Sequence, residues 1–331
     1  MAAPSCHVRP IHMLARSLPN RSSLIVTNSR YPDFFIIGAA KAGTTSLVEM
    51  LRGHSQVFFP HEKEPHHFFL REDDREWTIR DGKRELRLQD SLPYGEERRY
   101  LSLFDTAPAD ALAGDASTQY LVNETVPRAI HALRPDAKII VALRNPSERA
   151  YSAYLHARAR GEEPCESFSQ ALDECEAGKR RLSFATNYLE EGLYGRHLEH
   201  WKAHFGERLH VVLFEELVDQ PQGTFDLIAD FLAIDKRPLP REEASHKNAS
   251  IELTNPLARA FRLGAKRLRR WAPAVFENGL IRRPYEWLLG KLGNKPANLS
   301  EADRARLDAY YAPHIAAIES VIGRKLAAWR S

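Results

Sequence analysis

The first strong pattern in the chain is an unbroken apolar run, Phe34-Phe35-Ile36-Ile37, which stops at Gly38. A glycine-bearing loop follows, and then Leu47, Val48 and Leu51 at helical spacing, so the segment reads as strand, loop, helix. A second unit runs from Ile139-Ile140-Val141-Ala142-Leu143 into Arg144-Asn145-Pro146, where Asn145 can cap and Pro146 can open a helix. A third apolar run, Leu209 to Phe214, precedes a helical stretch from about Thr224 to Leu232. Apolar strands that alternate with helices, without polar interruption, predict a parallel sheet covered on both faces. The fold class expected is therefore α/β: a three-layer domain with a central parallel sheet flanked by helices. A last helix is expected from about Ser300 to Ile322, with Ser300 as its cap and Asp303 reaching back to the helix start.

Length and charge narrow the picture. With 331 residues, 43% of them hydrophobic, the chain can bury the core of one large domain, taken as residues 31–331 after a loosely ordered lead-in at 1–30. Charged residues make up 27% and nearly cancel to +3, which gives no case for nucleic acid or a membrane as the main partner. Cys6, Cys165 and Cys175 have neither a disulfide framework's even count nor a metal-ligand spacing, so a reducing, cytoplasmic setting is expected and no metal. No run reaches the roughly 18 apolar residues of a membrane span. The charged stretch from Arg71 to Arg99 reads as an insertion, either a solvated excursion or a lid over a cleft.

Candidate chemistry begins at Gly38-Ala39-Ala40-Lys41-Ala42-Gly43-Thr44-Thr45-Ser46, between a buried strand and a helix, where backbone N–H groups and the helix dipole converge on an anion. A P-loop for nucleoside triphosphates places its lysine directly after the last glycine. Here Thr44 holds that place and the lysine sits inside the loop at position 41. No apolar strand ending in an aspartate presents itself as a metal-binding partner, which weakens metal-dependent phosphoryl transfer.

The run Pro32-Asp33-Phe34-Phe35-Ile36-Ile37-Gly38, followed by Lys41-Ala42-Gly43-Thr44-Thr45-Ser46-Leu47, resembles the 5′-phosphosulfate loop of sulfotransferases that use 3′-phosphoadenosine 5′-phosphosulfate (PAPS). The heparan-sulfate-type and related bacterial branch is the nearest in pattern. The resemblance extends over most of the chain from Tyr31 and implies a P-loop-like domain. It implies that Lys41 contacts the oxygen bridging phosphate and sulfate, and that Ala42, Gly43, Thr44, Thr45 and Ser46 line the 5′-phosphate.

A second anion element is Arg144-Asn145-Pro146-Ser147-Glu148-Arg149, with Ser152 two helical turns on, at the carboxyl end of a strand where open α/β sheets bind ligands. Alone, an arginine before a capped helix reads as a surface or capping residue. Beside the first loop it resembles the family's 3′-phosphate element, which implies Arg144 and Ser152 as 3′-phosphate ligands and leaves Arg149 to a structural ion pair.

The segment Pro60-His61-Glu62-Lys63-Glu64-Pro65-His66-His67-Phe68-Phe69 brings carboxylates and imidazoles together after the first helix, where either can take a proton from an acceptor. It also reads simply as a charged loop between aromatic core anchors. Its Lys-Glu-Pro-His pattern resembles the heparan-type motif, which implies Glu64 as base and His66 in support, with His66 as reserve base.

Further segments match later family landmarks. Gly114-Asp115-Ala116-Ser117-Thr118-Gln119-Tyr120-Leu121 resembles a substrate-side element, but Ala116 stands where many heparan-modifying members carry lysine. Gly192-Leu193-Tyr194, Trp201, Phe214-Glu215-Glu216-Leu217 and Ile318 to Trp329 are assigned to packing. Lys247, in His246-Lys247-Asn248-Ala249-Ser250, is a nucleotide contact by resemblance. The basic stretch Arg259 to Arg270 reads as a solvated helix face, with recruitment of an anionic glycan, or of a lipid headgroup by peripheral membrane contact, as the alternative. The expected activity is sulfuryl transfer from PAPS, leaving adenosine 3′,5′-bisphosphate, to a hydroxyl or amine on a saccharide or glycolipid. The rivals are a P-loop kinase or nucleotide hydrolase and a non-catalytic nucleotide- or glycan-binding module.

Overall fold

Phe34–Ile36 forms a strand, β1, in the computed structural model, which describes residues 30–69, 75–81, 84–240 and 298–330. Its side chains and that of Ile37 are fully buried, as an uninterrupted apolar run demands of a strand covered on both faces. On one side it pairs with β5 (Leu112–Ala116), which is flanked in turn by the edge strand β2 (Val57–Phe58). On the other it pairs with β6 (Lys138–Leu143), which is flanked by β7 (Leu209–Leu213). All these pairings are parallel, giving a five-stranded sheet in the order β2-β5-β1-β6-β7. The strands expected near residues 34, 139 and 209 are all present.

The chain leaves β1 toward β2 and β5, then crosses back to build β6 and β7. Strand order thus reverses beside β1, and the carboxyl ends of β1 and β6 flank the crevice where ligands of open α/β sheets bind. Helices flank the sheet: α1 (Thr44–Arg52), α2 (Glu97–Leu101), α3 (Val126–Leu133), α4 (Pro146–Arg160), α5 (Phe168–Glu176), α6 (Tyr194–Phe205), α7 (Phe214–Asp219), α8 (Pro221–Leu232) and α9 (Glu301–Ile322). Asn145 caps α4 by accepting from the N–H groups of Ser147 and Glu148. Ser300 caps α9, the Asp303 carboxylate accepts from its hydroxyl at 2.8 Å, and Gly323 ends the helix in the left-handed region at φ 72°. Ser147 donates to Asp308 at 2.6 Å, which ties α9 to α4.

Arg149 is fully buried and pairs with Glu191 at 3.1 Å, so its charge serves the packing of α4. Trp201 is also fully buried and donates to the Leu121 carbonyl at 3.3 Å. In the charged insertion, β3 (Thr78–Asp81) and β4 (Arg84–Arg87) form an antiparallel hairpin that no periodicity announced. Thr78 anchors it, donating to Leu182 at 3.0 Å and accepting from the N–H of Phe184 at 2.8 Å. Residues 1–29, Lys247 and the Arg259–Arg270 segment lie outside the described residues.

Candidate active site

Two hydrogen bonds hold the loop after β1 against β6: Ala39 N–H donates to Ala142 at 2.5 Å and Ala142 N–H to Gly38 at 2.7 Å. The loop is therefore in register with β6 until two residues before Arg144. Gly43 closes it at φ 87°, and a Cβ there would stand 2.9 Å from Leu217 and 3.0 Å from Phe214, so only glycine lets α1 start in contact with α7. α1 has neither a side-chain cap nor an acidic residue in its first turn. The N–H groups of its first turn and the positive end of its dipole are thus left for an anion, beside the hydroxyls of Thr45 and Ser46. Ala42 is placed differently: its side chain is buried and its N–H donates to Ala39 at 3.2 Å.

Lys41 takes up a left-handed conformation at φ 69° within this loop. Burial pushes its ammonium down from 10.5 to about 8, nearby Lys63 and Arg144 push the same way, and Glu64 opposes them. A desolvated cation among cations gains most from an arriving multivalent anion.

Arg144 stands at the carboxyl end of β6, its guanidinium 4.7 Å from the centre of the Phe214 ring and 3.5 Å from Glu148. Phe214 therefore touches both anion elements, meeting the Gly43 backbone and carrying Arg144. Ser152 is half-buried on α4, four residues after Glu148 and thus on the same helix face. The N-terminus of α4 is already satisfied by Asn145, so on this side the guanidinium, although 3.5 Å from Glu148, is the group that can fork onto an oxyanion.

The third element is the loop after β2. Glu64 and His66 both have positive φ, 59° and 55°, conformations that cost non-glycine residues of order 1–3 kcal/mol each and persist only where the surroundings impose them. Glu64 accepts from Thr118 Oγ1 at 3.0 Å and lies 3.4 Å from Lys63 Nζ and 3.5 Å from His66 Nε2. Lys63 in turn donates to Thr45 Oγ1 at 2.6 Å, joining the Glu64 loop to the start of α1. The side chain of Glu64 is 29% exposed and that of His66 only 9%. Burial holds the imidazole below its usual range, so it stays neutral, and its ring packs edge-on against Phe184 with centroids 5.2 Å apart. The carboxylate is thus the more exposed of the two groups, and the imidazole is buried beside it.

Lys63, Thr118 and Phe214 complete the cluster; the sequence reading gives Lys63 no role of its own, leaves Thr118 within a substrate-side segment and assigns Phe214 to packing. Their part depends on contacts between segments far apart in the chain. The structure also supplies an aspartate on the strand next to β1, Asp115, opposite Phe35. Its oxygens accept from Ser117, Tyr100 and Tyr120, so this carboxylate is committed within the core.

The curated proteins most similar in sequence include a bifunctional heparan sulfate N-deacetylase/N-sulfotransferase of Drosophila melanogaster, 31% identical over 211 residues, covering 61% of this chain and 20% of that protein. Another is the heparan sulfate glucosamine 3-O-sulfotransferase 6 of Homo sapiens, 32% identical over 206 residues, covering 62% of this chain and 53% of that one. The chain thus spans about half or less of the length of these relatives. Among solved structures, a sulfotransferase from Alicyclobacillus acidocaldarius superposes with a TM-score of 0.69 at 26% identity, covering 91% of this chain and 99% of that one. The pattern of the sulfotransferase family matches residues 32–238, a stretch that holds both anion elements and the Glu64 loop, and the chain belongs to that family.

Proposed function

We propose that the protein transfers a sulfuryl group from PAPS to a hydroxyl or amine of a saccharide or glycolipid by in-line displacement. The observation that carries this reading is that Lys41, Arg144 and Glu64, from three separate segments, lie close enough for their charges to act on one another. PAPS brings an activated sulfuryl group together with a 5′- and a 3′-phosphate, and the two anion elements fit that pair of phosphates. Thr44, Thr45 and Ser46 bind one through α1, while Arg144 and Ser152 hold the other. Lys41 meets the negative charge that grows on the phosphate oxygen as the bond to sulfur breaks. Glu64 accepts the acceptor's proton, with Thr118 fixing its orientation. Because Asp115 is committed to three hydroxyls, the kinase reading lacks a carboxylate on the strand beside the loop.

A saccharide acceptor is favoured by the Lys-Glu-Pro-His pattern and by the heparan sulfate relatives. Ala116, buried on β5 in place of a lysine, argues against a requirement for heparan sulfate itself. Titration calorimetry with adenosine 3′,5′-bisphosphate and with ATP–Mg²⁺ tests the donor, and turnover of labelled PAPS against neutral and anionic oligosaccharides, glycolipids and phenols tests the acceptor. Tighter binding of ATP–Mg²⁺ overturns the donor assignment; sulfation of phenols alone overturns the acceptor class.

Arg144→Ala should weaken adenosine 3′,5′-bisphosphate strongly while leaving adenosine 5′-phosphate almost unaffected. Phe214→Ala removes the platform under the guanidinium and should weaken the bisphosphate by roughly 3- to 30-fold, as loss of a partly desolvated cation–π contact implies. Equal losses for both nucleotides in Arg144→Ala would show that the arginine acts only on the fold.

A further inference from the structure

Asp115 is a fully buried carboxylate that the reaction does not use directly. Its Oδ1 accepts from Ser117 Oγ at 2.8 Å, and its Oδ2 accepts from the Tyr100 hydroxyl at 2.8 Å and the Tyr120 hydroxyl at 3.1 Å. Two of these hydroxyls also face the base loop: Ser117 Oγ accepts the N–H of His66 at 3.1 Å, and the Tyr120 hydroxyl accepts that of Phe68 at 3.2 Å. A hydroxyl has one hydrogen and two lone pairs. Once that hydrogen is given to Asp115, only lone pairs remain, and these are what the two backbone N–H groups need. The carboxylate thereby sets the polarity of both links. The links end within the segment whose left-handed residues, Glu64 and His66, must be held by their surroundings.

We infer that Asp115 is a positioning residue for the base, a buried carboxylate that fixes the loop carrying Glu64 by orienting Ser117 and Tyr120. The inference rests on the reading of Glu64 as proton acceptor. Its place in the fold explains how the effect is transmitted. β5 pairs directly with β1, Phe35 opposite Asp115, so the strand that leads into the Lys41 loop and the strand that anchors the Glu64 loop form one rigid unit. Donor and base are thereby held in a common frame.

Asp115→Asn keeps the shape but replaces one acceptor oxygen with a donor. In either orientation of the amide, at least one hydroxyl hydrogen loses its acceptor and competes for the place of a loop N–H. Amide hydrogen exchange should then show reduced protection at His66 or Phe68. With adenosine 3′,5′-bisphosphate affinity unchanged, kcat should fall roughly 10- to 100-fold, the range expected when a reacting group is displaced by about 1 Å. In a Glu64→Gln background the same substitution should have little further effect, because both act on one proton transfer. Ser117→Ala cuts a single link and should reproduce part of the loss if Asp115→Asn fails to fold, and Ser117→Thr should restore it.

Unchanged protection at both amides, or a loss of kcat that multiplies fully with that of Glu64→Gln, overturns the positioning role. Lower thermal stability with unchanged kcat overturns it too, since it reduces Asp115 to a fold element. Wild-type turnover in Glu64→Gln alone instead sinks the base reading, and the exchange data then show separately whether Asp115 holds the loop.

Discussion

Lys41→Met is expected to remove nearly all sulfuryl transfer while raising the thermal midpoint of the ligand-free protein. The loss should be at least roughly 10²- to 10³-fold, as for removal of one preorganised donor to a developing oxyanion, and more where the full charge is needed. The gain in stability has a separate cause. Burial, with Lys63 and Arg144 nearby, lowers the folded pKa of Lys41 from 10.5 to about 8, so between these values the unfolded chain binds more protons at this site than the folded one. Stability from this site therefore rises as the pH climbs from about 8 to 10.5, and the full cost is carried below about 8, where the ammonium stays charged in the fold. Methionine removes that cost, up to about 3 kcal/mol at pH 7. Calorimetry at pH 7 and pH 9.5 checks the sign, because the advantage of Lys41→Met should shrink at the higher pH. Adenosine 3′,5′-bisphosphate should reverse the order by stabilising the wild type more. Wild-type turnover in this variant, or a lower midpoint at pH 7, would remove the loop lysine from the mechanism or from its desolvated setting respectively.

Glu64→Gln should lower kcat by roughly 10²- to 10⁴-fold, the usual consequence of losing a general base. Binding of adenosine 3′,5′-bisphosphate should persist, since the loop stays anchored through the His66 and Phe68 N–H groups. Glutamine still accepts from Thr118, so the substitution removes the charge and leaves the orientation. His66→Ala tests the rival assignment. The imidazole is neutral, buried and packed on Phe184, so its loss should leave a cavity and loosen the loop with a smaller kinetic effect. Single-turnover rates separate the two. A full loss of chemistry in His66→Ala with near-normal rates in Glu64→Gln would transfer the role of base to the imidazole.

Local order along the chain determined much of the framework. The apolar runs at Phe34 and Ile139 form strands buried on both faces and the run at Leu209 a half-buried strand at the sheet edge, and the Asn145 and Ser300 helix starts follow from capping chemistry between near neighbours. The Lys41 loop was legible for the same reason, as a short motif placed at a strand's end, whereas Arg144 read locally as a surface or capping residue and gained an anion role only by resemblance. β5 was not legible, because Leu112-Ala113-Gly114-Asp115-Ala116 has neither strand propensity nor alternation. Its glycine is explained only by the rings of Phe34 and Phe59, which would stand 2.4 and 2.6 Å from an added Cβ, and its aspartate only by hydroxyls from Tyr100, Ser117 and Tyr120. The β3–β4 hairpin likewise depends on its anchor to Leu182 and Phe184 across about a hundred residues. The roles of Lys63, Thr118 and Phe214 were decided the same way, by Thr45, Glu64 and Arg144 brought beside them from elsewhere in the chain. Periodicity and capping are properties of neighbouring residues and can be read from sequence. The satisfaction of a buried carboxylate or the support of a guanidinium requires groups distant in the chain, so the tertiary structure alone determines it.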